Sequence, residues 1–478
     1  MAMKRVLCVA LVLVVLTVPV MGAGIQLPQY AGGATLDGQV PLQGKEDYVP
    51  DAYAAFVYDI TTDTLIYAYE ADKVLYPASL TKLLTALVVL DQGSMSDVIT
   101  VTGNAINELD ADASRAGLEV GESYTTEQLL YCLLLPSGND AAVVLAQHYG
   151  GSIAGFAKLM NEKAARLGCE NSHFVNPHGL HDEDQYSTAR DLARIFRACL
   201  EQEVYMTIAA TPEYVMKDAE EEEDRWVIHS TNVFICDYLF DDLLDSRVVA
   251  GKTGYTKAAG RCLAVLSRDE GMQLISILLG APREGEWREG RYNHFLQTRA
   301  LLNHIYQSCG IATVLEAGDS CGVLLTDDGV GEVEGLAAEG IEAVLPEDYD
   351  RGLLTRTVTA AEGLALPIAA GDTVGSVQVW YDGRCVGETA LLAAGAVELP
   401  TEPPTEPSEE PETQLPAAPS QDITAPVQTQ PQAAQPTAPT DELPLQLPVV
   451  LAALTVLALV ILALLILLLT GERRKKRR

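Results

Sequence analysis

Residues 76–90 read YPASLTKLLTALVVL, with Ser79 three positions before Lys82 at the mouth of an apolar run. From Leu80 to Leu90 the apolar spacing is helical, which puts the serine and the lysine one turn apart on one face. An amine that close can take the hydroxyl proton once burial or a neighbouring cation lowers its pKa. Taken alone, S-x-x-K is a weak signal, because it arises by chance and serine is a favoured N-cap. Read by itself, the segment is better explained as a helix start.

Two further motifs bear on that reading. Ser137-Gly138-Asn139 follows the break after LLLP in a stretch that reads helix, break, helix, and a hydroxyl and an amide on a tight turn can relay a proton and hold a carbonyl. A second S-x-N, Ser230-Thr231-Asn232, shows that the pattern does not validate itself; the apolar flanks of Ser137 favour it. Lys252-Thr253-Gly254 lies on the expected strand VVAGKTGYT, where lysine and threonine can bind a carboxylate and glycine admits a substrate backbone. Otherwise it is a solvated strand edge.

The order S-x-x-K, S-x-N, K-T-G is the signature of the penicillin-recognising serine enzymes. With YPASLTKLLTALVVL, LLLPSGNDAAVVLAQ, NPHGLHDEDQYSTARDLARI and KTGYTKAAGRCLAVLSR, the chain resembles the low-molecular-mass penicillin-binding proteins of the serine-type D-alanyl-D-alanine carboxypeptidase family over roughly residues 45–305. The resemblance implies Ser79 as acylated nucleophile, Lys82 as its base, Ser137 as proton shuttle to the leaving D-alanine, and Asn139 as holder of the substrate amide and of Lys82. It implies Lys252 and Thr253 on the terminal carboxylate, Gly254 beside the substrate, and the N–H groups of Ser79 and Tyr255 as oxyanion hole. On this reading Ser79 both caps its helix and acts as nucleophile. The implied substrate is a peptidoglycan stem pentapeptide, with β-lactam antibiotics as inhibitors and no cofactor. Val249-Ala250-Gly251 stands where the family usually has Asp-Gly-hydrophobic before K-T-G, and 217–246 is unusually acidic; both put efficiency and peptide preference in doubt.

Two alternatives stand beside it. A β-lactamase shares all three motifs, but the middle motif has glycine where the commonest lactamases have aspartate, and no E-x-x-L-N-type glutamate is found. A catalytically idle wall-binding protein would lack a nucleophile or base, and neither is missing. His173, His178 and His181 with Asp182 and Asp184 invite a metal, yet no H-E-x-x-H or common zinc spacing occurs.

Around this site the chain organises itself. Strands flank a turn near Asp59–Thr64, the middle is helical, and strands return from 247 to 281 before a last helix. That order predicts an α+β domain whose antiparallel sheet joins its two ends. Residues 308–399 read as a small all-β domain with an Asp382-Gly383 hairpin turn and no cluster of catalytic residue types. The expected divisions are 1–24 signal peptide, 45–306 catalytic domain, 308–399 β-domain, 400–448 linker, 449–470 transmembrane helix and 471–478 basic tail. Lys4 and Arg5 precede a short apolar run and MGAG, a secretory pattern with cleavage between Gly22 and Gly24. Thirteen of 24 prolines fall in 400–448, enough extended linker to span on the order of 100 Å. Residues 449–470 are uncharged and apolar and end in GERRKKRR, which fits a membrane anchor with a cytoplasmic tail and an extracytoplasmic body. A net charge of -34 argues against a nucleic-acid partner. Eight cysteines remain after the leader, without C-x-x-C, and scattered, buried free thiols explain them at least as well as bridges.

Overall fold

The computed structural model of the chain describes residues 41–42, 48–106, 109, 113–217, 224–238, 242–283 and 287–399. The leader, proline-rich linker, apolar C-terminal run and basic tail lie outside the described residues. Among the described residues no helix is long and apolar enough to cross a membrane.

Strands β1 (Ala54–Asp59) and β2 (Thr64–Tyr69) flank the expected turn, and helix α1 (Thr81–Gln92) follows a 3-10 turn at Ala78–Leu80. A small hairpin of β3 (Val98–Thr100) and β4 (Ser123–Thr125) brackets the short helix α2 (Gly103–Ile106). The helical middle continues with α3 (Thr126–Leu134), α4 (Asn139–Gly150), α5 (Ile153–Arg166), α6 (Ala189–Leu200) and α7 (Glu203–Ala209). A second hairpin, β5 (Glu213–Lys217) with β6 (Asp224–His229), precedes β7 (Val248–Thr256), β8 (Gly260–Asp269), β9 (Met272–Ala281) and α8 (Trp287–Ser308).

The five-stranded sheet runs β2-β1-β9-β8-β7 and is antiparallel throughout. Its N-terminal strand β1 pairs with β9, Ala54 opposite Leu279 and Tyr58 opposite Ile275, so the two ends of the domain close on each other as expected. Every residue of β1 is buried, because helices cover both faces. Side chains alternate across the strand: Phe56 and Tyr58 join Leu83, Leu87 and Phe196 on the α1/α6 side. Ala55 and Val57 join Phe295, Leu302 and Ile305 of α8 on the other.

Helix α1 runs through the first of these cores and is buried from Thr81 to Val89. Each of Leu83, Leu84 and Leu87, buried there, contributes roughly 1.5–3 kcal/mol. That packing offsets the cost of enclosing Lys82 on the same helix, and β7 forms the sheet edge nearest its start.

Residues from 309 build a separate β core. Strands β10 (Cys309–Leu315), β11 (Ser320–Leu325), β12 (Glu332–Ala337), β13 (Ile341–Pro346), β14 (Leu354–Ala360), β15 (Thr373–Tyr381) and β16 (Arg384–Ala393) form a β11-β12-β16-β15-β14 sheet and a β10-β13 pair. Leu315, Val333, Val374, Val377 and Leu391 pack inside. The Asp382-Gly383 turn joins paired Tyr381 and Arg384 with φ of 47° and 75°, the two positive angles of a type I′ hairpin. The cysteines at 132, 169, 199, 236, 262, 309, 321 and 385 are free thiols, the first six of them buried.

Candidate active site

Three chain segments converge at the sheet edge. Ser79 sits in the 3-10 turn that enters α1, Ser137 and Asn139 at the break between α3 and α4, and Lys252 on β7. Lys82 Nζ lies 3.0 Å from Ser79 Oγ, 2.6 Å from Asn139 Oδ1 and 2.7 Å from the His178 carbonyl oxygen. The last two atoms only accept hydrogen bonds. A neutral lysine amine gives them its two hydrogens, and its lone pair then points at the serine hydroxyl. Burial, reinforced by the charge of Lys252 and opposed by Asp140, holds the Lys82 pKa well below that of a free lysine. This is the arrangement of a base beside a nucleophile.

Lys252 is also buried, and desolvation brings its pKa down to about 7. Its Nζ donates to Ser137 Oγ and to the Thr253 carbonyl, both at 2.8 Å. Ser137 stands at φ 63°, a left-handed conformation unusual for a residue with a side chain. The next two amides hold it there: Gly138 N donates to the Cys132 carbonyl and Asn139 N to the Ser114 carbonyl, each at 2.9 Å. Such a held conformation aims a side chain and recurs at functional sites.

Glycines let the segments touch. A Cβ on Gly254 would stand 3.2 Å from Ser79 N and 3.3 Å from Ala78 Cβ, so the bare backbone of β7 lies directly beside the serine turn. The expectation that this glycine admits a substrate backbone is therefore extended: it first admits the protein's own turn. At Gly179, φ 86°, a Cβ would meet the Ala78 carbonyl oxygen at 1.9 Å. At the Val249-Ala250-Gly251 departure, a Cβ on Gly251 would stand 2.6 Å from the Ala264 carbonyl oxygen and 3.0 Å from Asn232 Nδ2, which leaves a side chain little room.

The expected site residues Ser79, Lys82, Ser137, Asn139, Lys252, Thr253, Gly254 and Tyr255 thus fall together. One expectation fails. Ser79 does not cap α1, whose N-cap position is Leu80 with no side-chain cap bond. The added 3-10 turn carries Ser79 past the capping position, and its hydroxyl faces Lys82 instead. The second S-x-N lies beside β7 but is spent on its own turn: Ser230 Oγ accepts from Asn232 N and Asn232 Oδ1 from Phe234 N. Its middle residue reaches the site, with Thr231 Oγ1 2.7 Å from Thr253 Oγ1.

Two contributions have no motif. Asp140 accepts hydrogen bonds from the amides of Ala116, Gly117 and Leu118, which clamps that segment over the Ser137 turn. An acid in the first turn of a helix is legible, but nothing in the spacing pairs it with amides 22–24 residues earlier. The His178 carbonyl is invisible to any side-chain pattern; burial first, and then Lys82, bring the pKa of the His178 ring down to about 3, and the ring accepts from Leu180 N. His173 Nδ1 meets the Asp184 carbonyl oxygen and His181 packs edge-on against Tyr76, so the three histidines have separate uses.

Comparison with known proteins follows the same division. A family model described as D-alanyl-D-alanine carboxypeptidase matches residues 44–283, and one described as penicillin-binding protein 5, C-terminal domain, matches residues 312–399. The D-alanyl-D-alanine carboxypeptidase DacF of Bacillus subtilis is 27% identical over 349 residues, covering 72% of this chain and 85% of that protein. DacB2 of Mycobacterium tuberculosis, a D-alanyl-D-alanine carboxypeptidase, is 33% identical over 244 residues, 50% of this chain and 78% of that one. The crystal structure of penicillin-binding protein 5 from Haemophilus influenzae superposes with a TM-score of 0.58 at 25% identity, covering 74% of this chain and 99% of the other. An α+β domain followed by an all-β domain is the architecture that this chain shares with that crystal structure.

Proposed function

This chain belongs to the D-alanyl-D-alanine carboxypeptidase family, and we propose that it removes the terminal D-alanine of peptidoglycan stem pentapeptides through an acyl-enzyme on Ser79. The observation that carries the reading is the buried Lys82 amine, 3.0 Å from Ser79 Oγ and oriented by two acceptors. The terminal carboxylate binds at Lys252 and Thr253, and its charge draws a proton onto Lys252. Ser79 Oγ attacks the carbonyl carbon of the penultimate D-alanine while its proton passes to Lys82. The oxyanion forms at the N–H groups of Ser79 and Tyr255, where two donors lower the barrier by several kcal/mol. The C–N bond then breaks, and a proton relayed through Ser137 Oγ leaves on the amine of D-alanine. Water adds to the Ser79 ester with Lys82 again as base, which frees the peptide acid and restores the hydroxyl. β-Lactams acylate the same serine and act as inhibitors. The purified full-length protein should release one D-alanine per pentapeptide, and Ser79→Ala should release none; release undiminished in the variant would overturn the reading.

The ends of the chain give this activity a place. We propose that residues 1–24 direct export, 400–448 act as a stalk and 449–470 anchor the protein, with the catalytic domain outside the cell membrane. The basic n-region and MGAG, the thirteen prolines, and the uncharged apolar run before GERRKKRR support it. Protease added to intact cells should shed the body and leave a membrane-bound C-terminal fragment; protection of the body would contradict this topology.

A further inference from the structure

Beyond Lys252, the end of β7 is flanked by a second group of charges that the hydrolysis itself does not use. Tyr255 pairs across the sheet with Arg261 of β8, and the Arg261 guanidinium lies over the tyrosine ring, 4.1 Å from its centroid. Arg283, just past the end of β9, reaches the same ring at 5.3 Å and donates from Nη1 to the Tyr255 hydroxyl at 2.9 Å. Lys257, exposed in the β7–β8 turn, adds a third positive charge. Elsewhere in this acidic chain, Arg190 pairs with Asp72, Arg225 with Glu122, Arg247 with Asp245 and Arg356 with Asp319. Arg283 is exposed and, among the described residues, makes no ion pair. Its hydrogen-bond partner among the described residues is the Tyr255 hydroxyl, a neutral group that holds it in place.

The order of groups along β7 says what passes this cluster. Lys252 and Thr253 take the carboxylate at the substrate's end, and Gly254 lies beside Ser79, where the carbonyl is attacked. The rest of the peptide therefore leaves past Tyr255, towards Arg261, Arg283 and Lys257. We propose that the Arg261–Tyr255–Arg283 stack is a specificity subsite for a carboxylate on the side chain of the residue that precedes the D-alanine pair. This rests on the carboxypeptidase reading above. A guanidinium presents several donors to a carboxylate in a fixed plane, and the hydrogen bond to Tyr255 holds the Arg283 guanidinium beside the ring.

The test compares acetyl-Glu-D-Ala-D-Ala with its uncharged isostere acetyl-Gln-D-Ala-D-Ala and with acetyl-Lys-D-Ala-D-Ala, measuring D-alanine release by the full-length protein. The glutamyl peptide should be favoured over the glutaminyl one by about tenfold in kcat/KM, mainly through KM, the size of effect a charge-assisted hydrogen bond gives. Arg283→Gln and Arg261→Gln should each bring the two towards parity while the glutaminyl rate and acylation by benzylpenicillin stay near wild type. Raising salt to about 0.5 M should shrink the wild-type preference by screening. Equal rates on the three peptides, with D-alanine released, would overturn the subsite and leave the carboxypeptidase reading intact. A loss in the variants that is the same for all three peptides would show that the arginines only brace Tyr255, and would also overturn it. No release from any peptide would overturn both.

Discussion

Asn139 Oδ1 accepts a 2.6 Å hydrogen bond from Lys82 Nζ across 57 residues of sequence. With the His178 carbonyl it fixes the two hydrogens of the neutral amine and so aims the lone pair. Asn139→Ala should slow acylation of Ser79 by benzylpenicillin on the order of 100-fold, within the range that positioned general bases contribute. Stopped-flow acylation rates check this, and an unchanged rate would mean that Lys82 needs no second holder.

Acylation should depend on pH with an acid limb well below the free lysine pKa of about 10.4. Burial is the main cause and Lys252 the second, each favouring the neutral amine. The rate falls as pH drops and Lys82 takes a proton. Lys252→Met removes the cationic contribution, so its acid limb should move to higher pH in a rate-pH profile; movement to lower pH would contradict the electrostatic account.

Lys252 titrates in the opposite sense. Its pKa of about 7 in the empty site means that a carboxylate must draw a proton onto it above neutrality. KM for a D-alanyl-D-alanine peptide should be flat below about pH 7 and rise by up to tenfold per unit above it. Lys252→Arg, charged throughout, should remove the rise. Steady-state kinetics over pH 6–10 in both proteins decide.

Asp140 holds the 116–118 amides against the Ser137 turn. Asp140→Ala leaves buried N–H groups unpaired at about 1–3 kcal/mol each, less what water recovers. The variant should melt earlier and acylate more slowly, because Asn139 begins in that turn. Calorimetry with acylation rates separates the two effects; a stable, fast variant would show that the clamp is not needed.

Gly179→Ala is the sharpest steric test. The new Cβ would stand 1.9 Å from the Ala78 carbonyl oxygen at φ 86°, so the Ser79 turn has to move. Acylation should fall by more than tenfold, beyond the roughly 1–2 kcal/mol that the left-handed backbone alone costs the fold.

The sheet was legible because its evidence is local: YVPDAYAAFVYD and the strands from 247 to 281 are short apolar and aromatic runs with turns between them, and a sheet joining them buries both. The Asp382-Gly383 hairpin was legible for the same reason. The true place of Ser79 is hidden in the sequence because Pro77, Ala78 and Ser79 look like any helix entry; the extra 3-10 turn packs against Gly179, a hundred residues away. Thr231, Asp140 and the His178 carbonyl went unread since their partners come from distant segments or are backbone atoms. Side chains that form motifs were visible, whereas the groups that hold them were not.

The most direct test of the account is intact-mass spectrometry of the full-length protein after incubation with benzylpenicillin, beside Ser79→Ala. The account predicts one persistent penicilloyl adduct that the variant lacks, with D-alanine released from a pentapeptide by the unmodified enzyme only. Rapid loss of penicillin without an adduct would make the protein a β-lactamase, and neither adduct nor D-alanine would leave Ser79 without the catalytic role given to it.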